Sequence, residues 1–274
     1  MTESDRWEEE IMKIMSAYAG VVEKGLDQRW KCMKVELYEA EPHEVIGALL
    51  ARQATLTTQL ALVPQIWNGH IAPLILRCMI DAHITLAWIL KEPIDRAKRY
   101  ILYGLGQEKL YIEHLKSGKE SGDDSMVDKI IEMRESWLNS QRSDFLTEVD
   151  VGSWSGMTTR DMAEEADCKS LYNHAYLPFS GVVHNMWQHV AIYNLKQCRN
   201  PLHKYHRVPI IAEAPLEPDF VYRSAKYISR SFKAVDEKFG LSCAAPYPVD
   251  WLSDELGKLS TTTMDKKQDA ETEL

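Results

Sequence analysis

The sequence predicts an all-α fold: a single multi-helix, bundle-like domain with a long N-terminal helix and a disordered C-terminal tail. Apolar residues recur with the period of a helix along most of the 274 residues, and no convincing run alternates as a strand does. Neither an internal repeat nor a clean linker divides the chain, and its 45% hydrophobic content is that of a globular protein. We expect a helical core over residues 41–240, preceded by the amphipathic helix of residues 1–40 and followed by an extension over residues 241–274.

The first half of the chain contains four predicted helices. The longest covers residues 3–39, which form an amphipathic pattern with possible breaks at its two glycines. Proline is tolerated in the first turn of a helix, and Pro42, Pro73 and Pro93 each stand at the start of an apolar pattern. The corresponding helices are expected over residues 42–67, 73–90 and 93–116.

Shorter helices and longer turns are predicted in the second half. The polar stretch 117–125 contains two glycines and is expected to be a loop. Four prolines predict an extended loop over residues 199–220, and the polar composition after residue 257 predicts disorder. The helices expected here cover residues 126–139, a short segment capped by Thr158 or Thr159, residues 176–194 with a possible extension to Cys198, and residues 219–239.

The composition excludes several classes of function. With a net charge of -9, the chain has no overall basic field to attract nucleic acid, although a local basic patch is possible. The acidic start MTESDRWEEEIMK is not a secretory signal peptide. Residues 71–90 approach the length of a membrane span, but Arg77, Asp81 and His83 near its middle would be costly in lipid. We therefore expect a buried helix in a cytoplasmic protein, with no membrane partner.

The five cysteines are odd in number and widely scattered, and no C-x-x-C pair occurs. This pattern supports neither a disulfide framework nor a zinc knuckle. Most of the cysteines are expected to be buried thiols in a reducing compartment.

Two charged residues stand out in the apolar third helix. Arg77 and Asp81 are four residues apart, so they lie on one helical face and can pair. A helix that is apolar nearly all round is normally buried, which makes such charges expensive unless they are satisfied. Either they form an internal ion pair that ties this helix to a neighbour, or Arg77 binds an anion and Asp81 positions it.

The stretch YLPFSGVVHNMWQHVAIYN, residues 176–194, carries a polar face on an otherwise apolar helix. Tyr176, Ser180 and His184 are spaced four apart and share that face. His184 is either a core histidine bonded to the two hydroxyl groups or a general acid or base oriented by them. Ser180 lacks the G-x-S-x-G setting of an acyl-transfer nucleophile.

These two regions together resemble a bacterial family that is labelled a domain of unknown function. The resemblance covers roughly residues 45–195. It is carried by an Arg-x-x-x-acid helix, a following aliphatic and aromatic run, a short D-P-x-x-R step, and a Tyr-rich segment that ends in Ser-x-x-x-His. It implies an all-helical core in which the Arg-acid helix packs beside the Ser/His helix, and it implies no particular activity. The residues at the positions of this pattern are Arg77, Asp81 (where the family more often has Glu), Tyr172, Tyr176, Ser180 and His184.

The pairing of the two helices is also distantly similar to the higher eukaryote and prokaryote nucleotide-binding (HEPN) helical domains, several of which are RNases of toxin and anti-phage systems. Their signature is Arg, four to six residues, then His. Arg77 with His83 matches it, but residues six apart on a helix point to different faces. Arg199 with His206 is therefore the alternative catalytic pair, although Pro201 between them argues for a loop.

Other signals for chemistry are weak. No H-E-x-x-H motif and no Gly-rich phosphate loop occurs. His203 and His206 are three apart and could hold a metal on a helix, but no carboxylate lies near them, so we expect neither a metal nor a cofactor. The charged run DRAKRY, residues 95–100, is expected to be a solvated face.

The sequence supports two hypotheses from different classes. The first is an effector that acts on nucleic acid, a metal-independent RNase of a bacterial defence or toxin system. In it Arg77 binds phosphate, Asp81 holds Arg77, and His184 is the acid or base, oriented by Tyr176 and Ser180. The second is a non-enzymatic helical module that binds a partner protein or small ligand, with the same residues as a structural network. The expected partners are RNA, a partner protein, and a second copy through the N-terminal helix.

Overall fold

The chain folds into a bundle of helices, as the sequence predicts. A computed structural model describes residues 3–34, 40–118, 125–141, 153–211 and 214–259. The only strands in these ranges are β1 (Leu195–Gln197) and β2 (Arg207–Pro209), which pair antiparallel as a small hairpin. The helices are α1 (Glu3–Cys32), α2 (Ala40–Leu62), α3 (Ala72–Lys91), α4 (Pro93–Ser117), α5 (Ser125–Ser140), α6 (Thr159–Glu165), α7 (Lys169–Leu171), α8 (Leu177–Val183), α9 (Trp187–Tyr193) and α10 (Asp219–Phe239). Residues 64–66 form a 3₁₀ turn, residues 172–176 a π-helical turn, and residues 248–259 are helical.

Helix α3 is the centre of the bundle. It packs against α2, α6, α8 and α10, and most of its residues are buried. By length and composition alone this helix could cross a membrane, yet 72% of its apolar stretch is buried inside the protein. Pro73 stands in its first turn and Lys91 in its last, as the capping preferences of helices predict. The apolar segment therefore forms the core helix that the sequence predicts.

Helix α10 covers one side of α3 and supplies a partner for the buried His83. Nδ1 of His83 lies 3.0 Å from the Ser231 hydroxyl on α10, and Nε2 lies 3.7 Å from Sγ of Cys168. Burial lowers the pKa of His83 to about 4, and the positive charge of Arg230 acts in the same direction. The imidazole is therefore neutral in the folded protein near pH 7.

Helix α1 is continuous, so the possible breaks at its two glycines do not occur. At Gly25 a side chain would come within 3.1 Å of the Phe232 ring, so this glycine makes room for the Phe232 side chain of α10. One turn later, Arg29 is almost fully buried and donates a 2.7 Å bond from Nη2 to Oδ2 of Asp236. The same carboxylate oxygen accepts a 3.0 Å bond from the Tyr247 hydroxyl. These bonds attach α1 to α10 across the core.

The second half of the chain departs from the predictions at three places. The expected helix over residues 176–194 is divided into α8 and α9. The expected loop over residues 199–220 contains β2, and α9 is followed by β1 rather than by an extension of the helix to Cys198. Strands of three residues are too short to show alternation. The final helical stretch reaches residue 259, beyond the predicted start of disorder at 257. Residues 119–124 of the predicted loop, and the predicted tail from residue 260, lie outside the described residues.

The expectation of buried cysteines is wrong. Cys32 and Cys78 are exposed, and Cys168, Cys198 and Cys243 are partly buried. The core positions are filled by aliphatic and aromatic side chains instead. All five thiols are free.

We predict that the buried His83 makes stability depend on pH between about 4 and 6.5. In this window the unfolded chain binds a proton that the folded chain excludes, so the free energy of unfolding falls as the pH drops from 6.5 to 4. The expected contribution is about 3 kcal/mol. Urea unfolding of the wild type and of His83→Gln at pH 7, 5.5 and 4.5 measures it.

The difference between the two proteins isolates His83 from the carboxyl groups that titrate in the same range. His114→Gln, at an exposed histidine on α4, is the matched control and should keep the wild-type dependence. An equal pH dependence in wild type and His83→Gln would contradict the prediction.

Candidate functional site

Arg77 lies at the contact between α3 and α8 and is held on three sides. Its Nε donates a 2.8 Å bond to the Ser180 hydroxyl, and its Nη1 donates to the Asp81 carboxylate one turn along α3. The guanidinium carbon lies 3.2 Å from the centroid of the Tyr176 ring. The Arg77 side chain is only 11% exposed. Its charge, its planar face and two of its donors are therefore engaged within the protein.

Ser180 and Tyr176 are positioned by the helix on which they stand. The Ser180 hydroxyl donates a 2.7 Å bond back to the carbonyl of Tyr176, so its oxygen is oriented to accept the bond from Arg77. Tyr176 ends a π-helical turn that begins at Tyr172, and the two rings stack 4.6 Å apart at 22°. Single π-helical turns are frequent at functional sites. Burial raises the pKa of Tyr176, which keeps its hydroxyl protonated.

Asp81 is the open member of this group, since its side chain is 48% exposed. Burial of part of the carboxylate raises its pKa, and the adjacent Arg77 opposes that effect. When Asp81 is ionised the pair carries no net charge. The pair therefore attracts a phosphate or another external anion only weakly. The exposed carboxylate of Asp81 can, however, exchange protons with solvent.

His184 does not join these bonds. Helix α8 ends at Val183, and the chain turns through Asn185, whose φ is 51°. The Asn185 and Met186 amides donate to the carbonyls of Val182 and Gly181, which is the Schellman pattern of a helix end. His184 is thus the C-cap of α8 and is exposed. Its imidazole makes no hydrogen bond to any residue that the structure describes.

The alternative pair, Arg199 and His206, lies on the loop between β1 and β2. Both side chains are exposed, and the Cys198 amide donates a 2.9 Å bond to the His206 carbonyl where the strands meet. The expectation that Pro201 places this Arg-to-His stretch outside a helix is confirmed, since it stands in the turn between the strands.

Four of the predicted site residues therefore form one cluster and three do not join it. We call the four residues the Arg77 cluster: Arg77, Asp81, Tyr176 and Ser180. This cluster links two helices, offers one solvent-accessible carboxylate, and lies beside the stacked ring of Tyr172. The other three candidates are exposed, at the C-cap of α8 and on the hairpin loop: His184, Arg199 and His206.

The sequence analysis also did not identify Arg96 as buried. Arg96 lies in the run expected to be a solvated face, yet it is only 5% exposed. Its guanidinium carbon lies 3.9 Å from the centroid of the Trp88 ring, and its Nη1 donates a 2.8 Å bond to the Trp88 carbonyl. Its Nη2 donates to Glu165 on α6, which also accepts a 2.8 Å bond from the Trp88 indole. The Glu-Pro-x-x-Arg sequence at residues 92–96 is the signal that could have identified it, since it closely matches the D-P-x-x-R step.

A third polar group attaches α9 to the start of α3. The ring centroids of His189 and Tyr193 are 4.7 Å apart, and that of Tyr193 lies 5.0 Å from His70. Burial lowers the pKa of His189, and His70 acts in the same direction. His189 therefore packs against neighbouring rings, away from the Arg77 cluster.

Comparison with known protein families identifies the family to which the chain is similar. The profile of a family described as a family of unknown function, DUF5677, matches residues 43–199, more than half of the chain. The match runs from α2 to just after β1, so it includes the Arg77 cluster and Arg96. No curated protein and no solved structure matches the chain.

We predict that replacing Arg77 by lysine destabilises the fold although it keeps the charge. A lysine ammonium has no planar face to cover the Tyr176 ring, and it cannot at the same time bond both Ser180 and Asp81 as the guanidinium does. The free energy of unfolding should therefore fall by about 1–3 kcal/mol. Ser180→Ala should cost about 1 kcal/mol for one lost bond. Chemical denaturation at pH 7 measures both values.

Arg99→Lys is the matched control, because Arg99 pairs with Asp95 at the same spacing on an exposed face of α4. It should change the free energy of unfolding by less than about 0.5 kcal/mol. A cost for Arg77→Lys no larger than that of this control would show that the Arg77 cluster is not a structural contact.

Proposed function

The chain belongs to the family of unknown function DUF5677, and we propose that it acts on RNA as a metal-independent ribonuclease of a bacterial defence or toxin system. The observation that carries the proposal is an exposed basic hairpin that follows α8 and α9 in an otherwise acidic chain.

The hairpin, residues 195–209, concentrates positive charge. It contains four arginine and lysine residues and no acidic residue, whereas the chain as a whole has a net charge of -9. All four side chains are exposed, and Tyr205 at the turn is 95% exposed. Basic groups interleaved with an exposed aromatic ring suit the backbone and bases of single-stranded RNA. The four basic residues are Lys196, Arg199, Lys204 and Arg207.

His184 supplies the proton transfer in this proposal. Cleavage of RNA without a metal uses the 2′-hydroxyl as nucleophile, so it requires a base for that proton, an acid for the leaving oxygen and a cation near the phosphate. An exposed imidazole at the end of α8 can take the first role or the second. The hairpin is joined to α8 through the short helix α9, and its arginines supply the cation.

The Arg77 cluster has a supporting role in the proposal. Because Arg77 is mostly buried and already bonded, it fits the task of fixing α8, and with it His184, better than direct contact with phosphate. Asp81 is the open carboxylate of the cluster and can act as a second proton acceptor.

We predict that the purified chain cleaves total RNA and tRNA in the presence of EDTA and that this activity depends on His184. His184→Ala should lower the rate by about 10²–10⁴, the usual contribution of a general acid or base. Gel analysis of the fragments with wild type, His184→Ala and His206→Ala measures the effect and tests the alternative pair.

His114→Ala is the control for loss of an exposed histidine and should keep the wild-type rate. Circular dichroism verifies that each variant remains helical. No cleavage by the wild type, or equal cleavage by His184→Ala, would refute the role of His184.

We also predict that the hairpin provides the electrostatic part of RNA binding. In the double variant Arg199→Gln/Lys204→Gln, the plot of log affinity for single-stranded RNA against log salt concentration should flatten by roughly 0.7 for each lost phosphate contact. Fluorescence anisotropy at several salt concentrations measures this slope. Lys98→Gln/Arg99→Gln on α4 changes the net charge equally and should leave the slope unchanged.

A second candidate function is a non-enzymatic helical module that binds a partner protein. It is favoured by exposed apolar side chains on α9, where Trp187 is 69% exposed and Ile192 is 71% exposed. In that case the Arg77 cluster is a structural network only. A wild-type chain that neither binds nor cleaves RNA in the experiments above would favour this candidate.

A further inference from the structure

The hairpin loop brings together one cysteine and two histidines that are separate in sequence. Cys198 directly follows β1, while His203 and His206 precede β2. Their potential ligand atoms all lie within 4.8 Å of one another. We propose that these three residues bind a zinc ion. The inference depends only on this geometry and is independent of the proposed action on RNA.

The distances suit zinc. A Zn–S bond of about 2.3 Å and a Zn–N bond of about 2.0–2.1 Å at a tetrahedral angle place the sulfur and nitrogen ligands about 3.6 Å apart. Sγ of Cys198 lies 3.7 Å from Nδ1 of His203. The rings of His203 and His206 have their centroids 5.4 Å apart and are inclined at 70°. The ligand atom of His206 lies within 4.8 Å of the other two, so a rotation of its side chain that shortens these distances would complete three corners of a tetrahedron.

The backbone of the loop holds the ligands in place before any metal binds. The His203 amide donates a 3.0 Å bond to the Asn200 carbonyl, and the His206 amide donates a 3.2 Å bond to the His203 carbonyl. Tyr205 adopts a left-handed conformation with a φ of 65°, which turns the chain sharply before His206. The Cys198 amide donates to the His206 carbonyl and closes the loop. Little ordering of the loop is therefore needed for binding.

Asn200 is a positioning residue for His203. Its Oδ1 accepts a 3.0 Å bond from the Leu202 amide, so its Nδ2 donates to Nε2 of His203, 3.2 Å away. This arrangement leaves the proton on Nδ1, directed towards the Cys198 sulfur. Zinc at Nδ1 requires the other neutral tautomer of His203, with its one proton on Nε2, and the Cys198 thiol releases its proton to solvent. The Asn200 amide then rotates, giving up the bond from the Leu202 amide, so that its Oδ1 accepts from Nε2, as groups around zinc-bound histidines usually do.

The chemistry of the loop requires the thiolate ligand. The four basic side chains of the hairpin oppose a divalent cation, and two neutral imidazoles alone would bind it weakly. The Cys198 thiolate offsets one positive charge and favours zinc over magnesium or calcium, which prefer oxygen ligands. Three protein ligands leave the fourth tetrahedral position for water. Loss of Cys198 should therefore remove the proposed site, whereas non-specific binding of zinc to exposed histidines would remain.

The test uses the purified full chain. Zn²⁺ is titrated in competition with a chromogenic chelator, and Co²⁺, whose thiolate complexes have a charge-transfer absorption, serves as a spectroscopic probe. We expect one Zn²⁺ per chain and a thiolate–cobalt band in the wild type. Cys198→Ser should abolish that band and lower the zinc affinity by at least about 100-fold, and Asn200→Ala should lower the affinity by about 10–100-fold.

The control is Cys78→Ser, which removes an exposed thiol on α3 and should keep both the affinity and the band. Limited trypsin digestion gives a second readout, because Zn²⁺ should protect the Arg199 and Lys204 bonds in the wild type and not in Cys198→Ser. An absence of zinc binding, a cobalt complex without the thiolate band, or binding that Cys198→Ser leaves unchanged would overturn the proposal.

Discussion

The burial of α3 on nearly all of its faces is the constraint on which the rest of this structure depends. A helix of this kind must be surrounded, and here α2, α6, α8 and α10 surround it. Burial also removes water from the polar groups on the inner faces of the helix, such as those of Arg77 and His83, so each of these groups requires a partner from a neighbouring element. Those partners determine where the neighbouring helices lie.

Two polar residues on different faces of α3 illustrate this requirement. Arg77 bonds the Ser180 hydroxyl of α8 and packs against the ring of Tyr176. His83, six residues later, faces α10 and meets Ser231. Since a shift of either neighbour by one turn would leave a buried group without its partner, these bonds specify one packing among the apolar alternatives.

The same logic applies at the C-terminal end of α3. There Arg96 covers the Trp88 ring and bonds both the last turn of α3 and Glu165 on α6. The Arg29–Asp236 pair repeats the arrangement between α1 and α10. Buried guanidinium groups thus connect α1, α3, α4, α6, α8 and α10, while aliphatic residues fill the spaces between them.

The sequence was sufficient to predict the helices because their periodicity and their prolines are local signals. Pro42, Pro73 and Pro93 each lie within the first turns of the helices that they predict. A spacing of four also predicts that Arg77 lies beside Asp81 and Tyr176 beside Ser180, whereas the packing of the two helices against each other was implied only by the family resemblance. The same spacing placed His184 on that face, but α8 ends before it. The break after Val183 was missed because it depends on a left-handed Asn185 and not on glycine. The buried pair of Arg29 and Asp236 joins residues 207 positions apart, which no local pattern can reveal.

The hairpin was missed for a related reason. Its strands are three residues long, and the three side chains that we propose as zinc ligands converge only after the chain has turned through Tyr205. The turn places Cys198 beside the histidines, whereas the sequence separates it from His206 by eight positions. On a helix, two histidines at a spacing of three would have no third ligand beside them, so this spacing alone does not predict the group that the hairpin forms.

The region that matches the family profile and the hairpin overlap only in part. The matched region, residues 43–199, contains α3, α8 and the buried arginines that join them to their neighbours. These contacts explain an all-helical frame without requiring any reaction. The two histidines of the hairpin and two of its basic side chains, Lys204 and Arg207, lie beyond residue 199, outside that region. Membership of the family therefore accounts for the frame, and the chemistry of the exposed loop must be established on this chain itself.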